Sequence, residues 1–309
     1  GDDPRLFTYA SEYMSGAASL LAGTRERPRF VTRRSPSAEQ PFVALDALVR
    51  FFRRPMQTYF TTSLNVRFGD EDEPLRDREP IVLSRLEAAR HAASMLNRNL
   101  RGQSAQAAHE QSKSRGELPL GVAGDLQFEQ AWGRSSALAA EVKQFQGDAE
   151  AERIDVHVEV DGVVVGGVVP VYGDRLVEHR YGSVEADHEL ETWVRFVALR
   201  AAGMGVTEAV RVGLPSRYSE AVRRGSSRGG QVSVVRWWAP EDAADVLREL
   251  VAVYRLGLSQ PPLLFPRTSY AWWCAEHARK DVRGREEAAG RVWKPWGESF
   301  AEGHDKYAR

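Results

Sequence analysis

A single cysteine, Cys274, stands among 309 residues, which excludes an internal disulfide framework and any paired-cysteine metal site. It follows Trp272 and Trp273 and reads as a buried packing thiol in a reduced, cytoplasmic setting. Long apolar runs are missing too. Nothing approaches the roughly 18 residues of a membrane-spanning helix, so no membrane partner is expected. The first thirty residues lack the basic, apolar and small-residue order of a signal peptide. Charge of either sign is not in excess: the net charge is −1, and any contact with nucleic acid must come from a local patch. An initiator Met is absent from the opening "GDDPRLFTYASEYM", and the chain stops at "AEGHDKYAR". It reads as a segment of a longer protein.

What is present is enough for a sizeable core: 42% hydrophobic residues and eight Trp. Residues 5–22 have helical character, and 23–41 form a polar, Pro-containing linker. Leu45, Leu48, Val49 and Phe52 make one helical stripe, and Pro55 suits the first turn of the next helix, whose face continues through Tyr59, Phe60 and Leu64. Residues 69–80, "GDEDEPLRDREP", read as a solvated loop without metal-loop spacing. Ser84 and Glu87 form a capping box for a helix reaching about Asn99. Residues 102–117 are Gln, Ser and Ala rich, a mobile helix or loop. From Gly124 to about Phe145 a helix carries Phe128, Trp132, Leu138 and Val142 as a core stripe.

The period then changes from about 3.6 to 2. "RIDVHVEV" alternates cleanly, Asp161–Gly162 is a tight-turn signal, and "VVVGGVVPV" reads as a more buried strand. "YGD" turns into a third strand, "RLVEHR". Asp187 is placed to cap a helix with Leu190, Trp193, Val194, Val197 and Ala201 inside, ended by Gly203. "EAVRVGL" and "QVSVVRWWA" are further strands, and Pro240, Glu241 and Asp242 open a helix to about Gly257. The order αβββαβ is the core of the restriction-endonuclease-like nucleases, an α/β fold class expected here with added helices. Topology alone does not give function.

A nuclease of that class needs carboxylates converging on Mg²⁺, and a Lys beside the attacking water. The first acid falls on or near Pro170, and the second element becomes Glu178-His179-Arg180. Proline offers no ligand and fits a sheet only at an edge, an end or a bulge. Arg180 stays protonated and is bulkier than Lys. Glu178 is left as a lone acid with Arg180 on its own strand face, unless Asp174 in the turn substitutes. Glu185, Asp187, Glu189 and Glu191 read as a solvated helix start, and His179 and His188 lack a matched pair for zinc. The hairpin therefore reads as catalytically degenerate, with no metal or other cofactor, and Pro170 is expected to let its two strands pack tightly.

Several separate segments resemble one family, the C-terminal domain of RecC, the gamma subunit of exodeoxyribonuclease V. They are Phe51-Phe52-Arg53-Arg54-Pro55, the aromatic Tyr59-Phe60, the acidic run Asp70 to Glu73, and Glu79-Pro80-Ile81-Val82-Leu83. Leu118, Pro119, Gly121 and Gly124 match its L-P-x-G-x-x-G segment, Pro170 its G-x-(hydrophobic)-P segment, and "PLLFPRTSYAWW" a late helix entry. The resemblance runs from about Pro4 to Tyr307. It implies a nuclease-like fold without nuclease residues, with Phe128 near the place of a lost His. It also implies partners: the RecB and RecD subunits, double-stranded DNA ends and forked DNA. The family's role is to split the duplex, guide the strands and hold the other subunits during double-strand break repair, in a complex that responds to Chi. By the same resemblance, the family's final C-terminal helices are absent from this sequence, which bears on how fully it binds partners.

The implied organisation is an N-terminal helix and linker over 1–40, a helical part over 41–117, and an α/β core with C-terminal helices over 118–309. Two rival readings are an active Mg²⁺ nuclease using Glu178 with Asp174, and a docking module without DNA contact. Arg217, Tyr218, Arg223, Arg224 and Arg228 lie in one Gly- and Ser-rich loop against Glu220 alone, which suits phosphate contact and base stacking. Trp237-Trp238, Trp272-Trp273, Trp293 and Trp296 exceed what one core hides. An exposed apolar patch facing another subunit is expected within 260–300.

Overall fold

The computed structural model describes residues 11–22, 41–68, 83–216 and 232–293. The chain divides into two compact units, Gly1–Arg34 and Ser35–Arg309. In the first, the described residues form α1 (Ser11–Leu21), on which Tyr13, Met14, Leu20 and Leu21 are exposed.

In the second unit, a three-residue strand β1 (Phe42–Ala44) leads straight into α2 (Leu45–Arg53), which buries Leu45, Leu48, Val49, Phe51 and Phe52. Sequence reading missed β1: three residues carry no usable period. α3 (Pro55–Thr58) starts with Pro at its first turn, as its missing N–H allows, and passes into a π-helical turn at Tyr59–Ser63. α4 (Arg85–Leu100) begins with the expected capping box: Ser84 Oγ accepts from the Glu87 N–H, and the Glu87 carboxylate accepts from the Ser84 N–H. α5 (Ala105–Ser114) is a regular helix capped by Ser104. In α6 (Val122–Gln146), a Cβ on Gly124 would lie 2.0 Å from the Pro119 carbonyl oxygen. That close approach explains glycine in the L-P-x-G-x-x-G segment.

β2 (Ala151–Val160) and β3 (Val163–Tyr172) pair antiparallel over their full length. Their turn has positive φ at both Asp161 and Gly162, as a type I′ hairpin requires. β4 (Arg175–Ser183) then departs from β3 at once, sharing the single registered pair Tyr172↔Arg175. The tight packing expected beside Pro170 is therefore not found. The free edge of β3 takes β1 instead, parallel over 164–166. Gly166 and Gly167 make room for it: a Cβ would meet the Phe42 ring at 2.6 Å and the Leu45 Cβ at 2.8 Å.

After β4 comes α7 (Ala186–Ala201), the crossover that the parallel pairing of β4 with β5 (Glu208–Leu214) demands. β6 (Ser233–Trp238) adds antiparallel to β5. Three further helices follow: α8 (Ala243–Ser259), α9 (Pro266–His277) and α10 (Val282–Trp293). α9 and α10 are neighbours, and Phe265 meets Trp293 edge to face at 4.8 Å.

The six-stranded mixed sheet carries helices on both faces, the three-layer solution that buries a sheet twice. On one face, residues of α2, α7 and α8 pack with Val163, Val165, Val169, Val171, Leu176 and Ala209. On the other, Leu96, Leu138 and Val142 of α4 and α6 pack with Val177, Val210 and Val212. A smaller core in the helical part joins Met95, Ala108, Leu118 and Phe128.

Candidate functional site

Strand alternation decides which hairpin residues meet. The odd residues Val163, Val165, Val169 and Val171 of β3 face α2 and α7, as do Leu176 and Glu178 of β4. Pro170 lies on the opposite face, exposed to solvent and opposite Arg153 of β2. The structure therefore does not bring Pro170 and Glu178 together. On the Glu178 side of the sheet, β3 offers Val169 and Val171, neither of which can hold a cation.

Glu178 is occupied. Thr192 Oγ1 donates to its Oε2 at 2.6 Å, Arg195 Nη1 to Oε1 at 2.5 Å, and Arg211 Nη1 to Oε2 at 2.9 Å. Glu191, one turn before Arg195 on α7, takes a second bond from it at 2.9 Å, with Arg211 and Arg53 each at 3.5 Å. Burial pushes the Glu178 carboxyl up, but Arg195, Arg211 and the Thr192 hydroxyl outweigh it and hold the group below the usual carboxylate range. The same contacts raise Arg195 against the opposing effect of its own burial. Both acids are thus held by guanidinium groups, three of which crowd them from α2, α7 and β5.

The acidic start of α7 is not the solvated run expected. Its N-cap is Glu185, not Asp187, and the Glu185 N–H donates to His188 Nδ1 at 3.3 Å. Burial pushes the Glu185 carboxyl up, and Ser216 Oγ donates to it at 2.5 Å. Asp187 is buried and receives Arg267 Nε at 3.1 Å. His188 is buried as well, and burial, opposed by Asp187, drives its pKa down to about 3.

Asp174, the alternative acid, belongs to the turn. It accepts from Thr207 Oγ1 at 2.7 Å, stays largely exposed, and has its other charged neighbour in Arg175 at 4.0 Å, not in the Glu178 cluster. Among the described residues no group of three or more His, Cys, Asp or Glu could hold a metal ion. Phe128 packs in the helical core, stacked on His109 at 4.4 Å and on Trp132 at 5.7 Å. A cavity of about 670 Å³ also lies in the helical part, between Leu83, His91 and the 116–120 segment, and Glu178 does not line it.

Arg217, Tyr218, Arg223, Arg224 and Arg228 lie outside the described residues, as does Trp296. Leu263, Trp273 and Val282 are exposed within 260–300, and Trp238 is exposed on β6. Trp237, Trp272 and Trp293 are half-buried, and so is Cys274, which is less enclosed than expected. No described helix is long and apolar enough to cross a membrane. The residues that sequence reasoning missed are Thr192, Arg195, Arg211 and Arg53; no local signal marks them.

Fold and site define an α/β domain with a mixed sheet, one face of which carries a buried acid–arginine cluster. Residues 40–277 match the family described as the RecC C-terminal domain, and the chain belongs to that family. It is 31% identical over 292 residues to the RecBCD enzyme subunit RecC of Mycolicibacterium smegmatis, covering 94% of this chain and 25% of that one. The subunit of the same name from Mycobacterium tuberculosis (strain H37Rv) is 28% identical over 281 residues, covering 90% of this chain and 24% of its own. That from Escherichia coli (strain K12) is 26% identical over 270 residues, covering 86% and 22%. The chain thus spans about a quarter of the length of these curated relatives.

Proposed function

We propose that this chain is a non-catalytic DNA-handling and subunit-scaffolding domain of an exonuclease V gamma subunit. In this reading it has a restriction-endonuclease-like core in which the catalytic positions have degenerated. It works in the cytoplasm with RecB and RecD subunits on double-stranded ends and forked DNA, during double-strand break repair. Residues 1–40 form its entry helix and linker, 41–117 its helical part, and 118–309 the core with its closing helices. Family membership and the succession α6, β2, β3, β4, α7, β5 support this reading.

The observation that carries the loss of catalysis is the occupation of Glu178. A metal ligand must keep lone pairs open toward a cation, whereas both oxygens of this carboxylate accept from protein donors. The positive charge that a nuclease takes from Mg²⁺ is supplied by Arg195 and Arg211, which open no coordination site for water. The exposed Trp238, Leu263, Trp273 and Val282 favour the scaffolding half of the role, as apolar surface for a partner subunit.

The test is incubation of purified protein with forked DNA and Mg²⁺ or Mn²⁺. Binding without cleavage above background is expected. Metal-dependent nicking that co-purifies with the protein and disappears in Glu178→Gln would overturn the reading in favour of an active nuclease. Failure to bind any fork would leave only docking.

A further inference from the structure

We propose that Arg180, presented by a bulge in β4, is a phosphate-binding residue that takes one phosphate of a nucleic-acid backbone. The inference rests on the DNA-handling reading above. Between His179 and Ser183, β4 advances four residues while its partner β5 advances two, from Val212 to Leu214. Such bulges re-aim a side chain out of the ladder. Here the guanidinium of Arg180 lies over Gly182. A Cβ on Gly182 would stand 2.9 Å from Arg180 Nη2 and 3.0 Å from its Nε, so glycine lets the group lie against the chain.

Arg180 is half-buried and has no hydrogen bond or ion pair among the described residues. The acids within its reach are already matched. Asp187 accepts from Arg267 at 3.1 Å and sits 3.4 Å from His188 Nδ1. Glu191 is shared by Arg195, Arg211 and Arg53. Glu185 is pushed toward its neutral form by burial. Burial and the neighbouring Arg211 and Arg53 act against the Arg180 charge, and Asp187 and Glu191 only partly compensate. A guanidinium does not lose its proton under such pressure. The site therefore holds a half-buried cation without a hydrogen-bonded counter-ion of its own, with donors in a fork that matches phosphate oxygens. A half-buried cation is costly without an anion, and a phosphodiester supplies that anion from outside.

The test titrates forked DNA against the full chain, wild type and variants, over a range of salt, with inorganic phosphate as a second probe in thermal unfolding. Arg180→Gln is expected to weaken fork binding about tenfold and to reduce the slope of log K against log salt by about one. Arg180→Lys should restore the slope. Because Arg180 satisfies no protein partner, the Gln variant should unfold at or above the wild-type temperature. Equal affinity and slope in wild type and Arg180→Gln would overturn the site and leave DNA handling standing. A large loss of stability in Arg180→Gln would overturn it too, by showing a structural role. If the wild type ignores DNA but is stabilised by phosphate in a manner that Arg180→Gln removes, the DNA reading fails and the anion site stands. Response to neither probe overturns both.

Discussion

On one side of the β3–β4 hairpin, Val169, Val171, Leu176 and Glu178 lie beneath α2 and α7; on the other side of β3, Val168 and Pro170 meet solvent. Consecutive residues of a single strand thus have unrelated surroundings. The covered side tolerates an acid only because Thr192, Arg195 and Arg211 satisfy it. The open side places no such demand, and a proline without an N–H fits where β3 has β2 alone as a registered neighbour. The difference teaches that the partners of Glu178 are set on the covered side, by arginines, and that Pro170 is a bystander of the sheet edge.

The sharpest way to break this contrast is to remove the acid. Glu178→Ala should cost about 3 kcal/mol in urea unfolding, because it removes the acid nearest to the buried Arg211 and to Arg195 and leaves Arg195, Arg211 and Arg53 to share Glu191. A metal-binding acid would behave oppositely, since its removal relieves repulsion or leaves stability unchanged.

Placing a new acid on each side should separate the two environments next. Val169→Asp puts a carboxylate at a fully buried position and should cost about 3 kcal/mol. Pro170→Asp, one residue on, should change stability by less than about 1 kcal/mol. Equal costs would refute the assignment of faces.

Much of the fold was legible because periodicity survives without context. The switch from helical stripes to the alternation of "RIDVHVEV", the Asp161–Gly162 turn and the Ser84–Glu87 box each have a local physical cause, and each is found. The relation of Pro170 to Glu178 was not legible, because "VVVGGVVPV" places Val at both parities and conceals which side is inside. A one-residue slip in register then exchanges every side chain between faces. The arginine cluster was hidden for another reason. Glu178 meets partners 14, 17 and 33 residues away, and Asp187 meets one 80 residues away. Acids spaced along the start of a helix look solvated until such partners arrive, so Asp187 and Glu191 were misread while the core stripe beside them was not.

A smaller effect comes from the same covered side. His188 has a folded pKa of about 3 against an ordinary 6.5, so between those values the unfolded chain binds more protons. Stability should be full above about pH 6.5 and fall as pH drops, by at most about 1.4 kcal/mol per pH unit from this group. His91 and His179 are lowered in the same direction, chiefly by burial. Glu178 and Asp187, both depressed, contribute stability that is complete above the ordinary carboxylate range and is lost only as pH falls through their folded values. His188→Gln should therefore flatten the profile between pH 6.5 and 4.5 and leave the steeper acid limb in place. An unchanged profile there would contradict the burial of His188 as a neutral acceptor.

Glu178 holds arginines through both of its carboxylate oxygens. Thermal unfolding of wild type and Glu178→Gln, each with and without millimolar Mg²⁺ or Mn²⁺, tests this assignment most directly, since a bound ion stabilises the state that binds it. The expected result is a Glu178→Gln variant that melts far below wild type at every metal concentration, with no metal-induced rise in either protein. A rise in the wild type that vanishes in Glu178→Gln would contradict it.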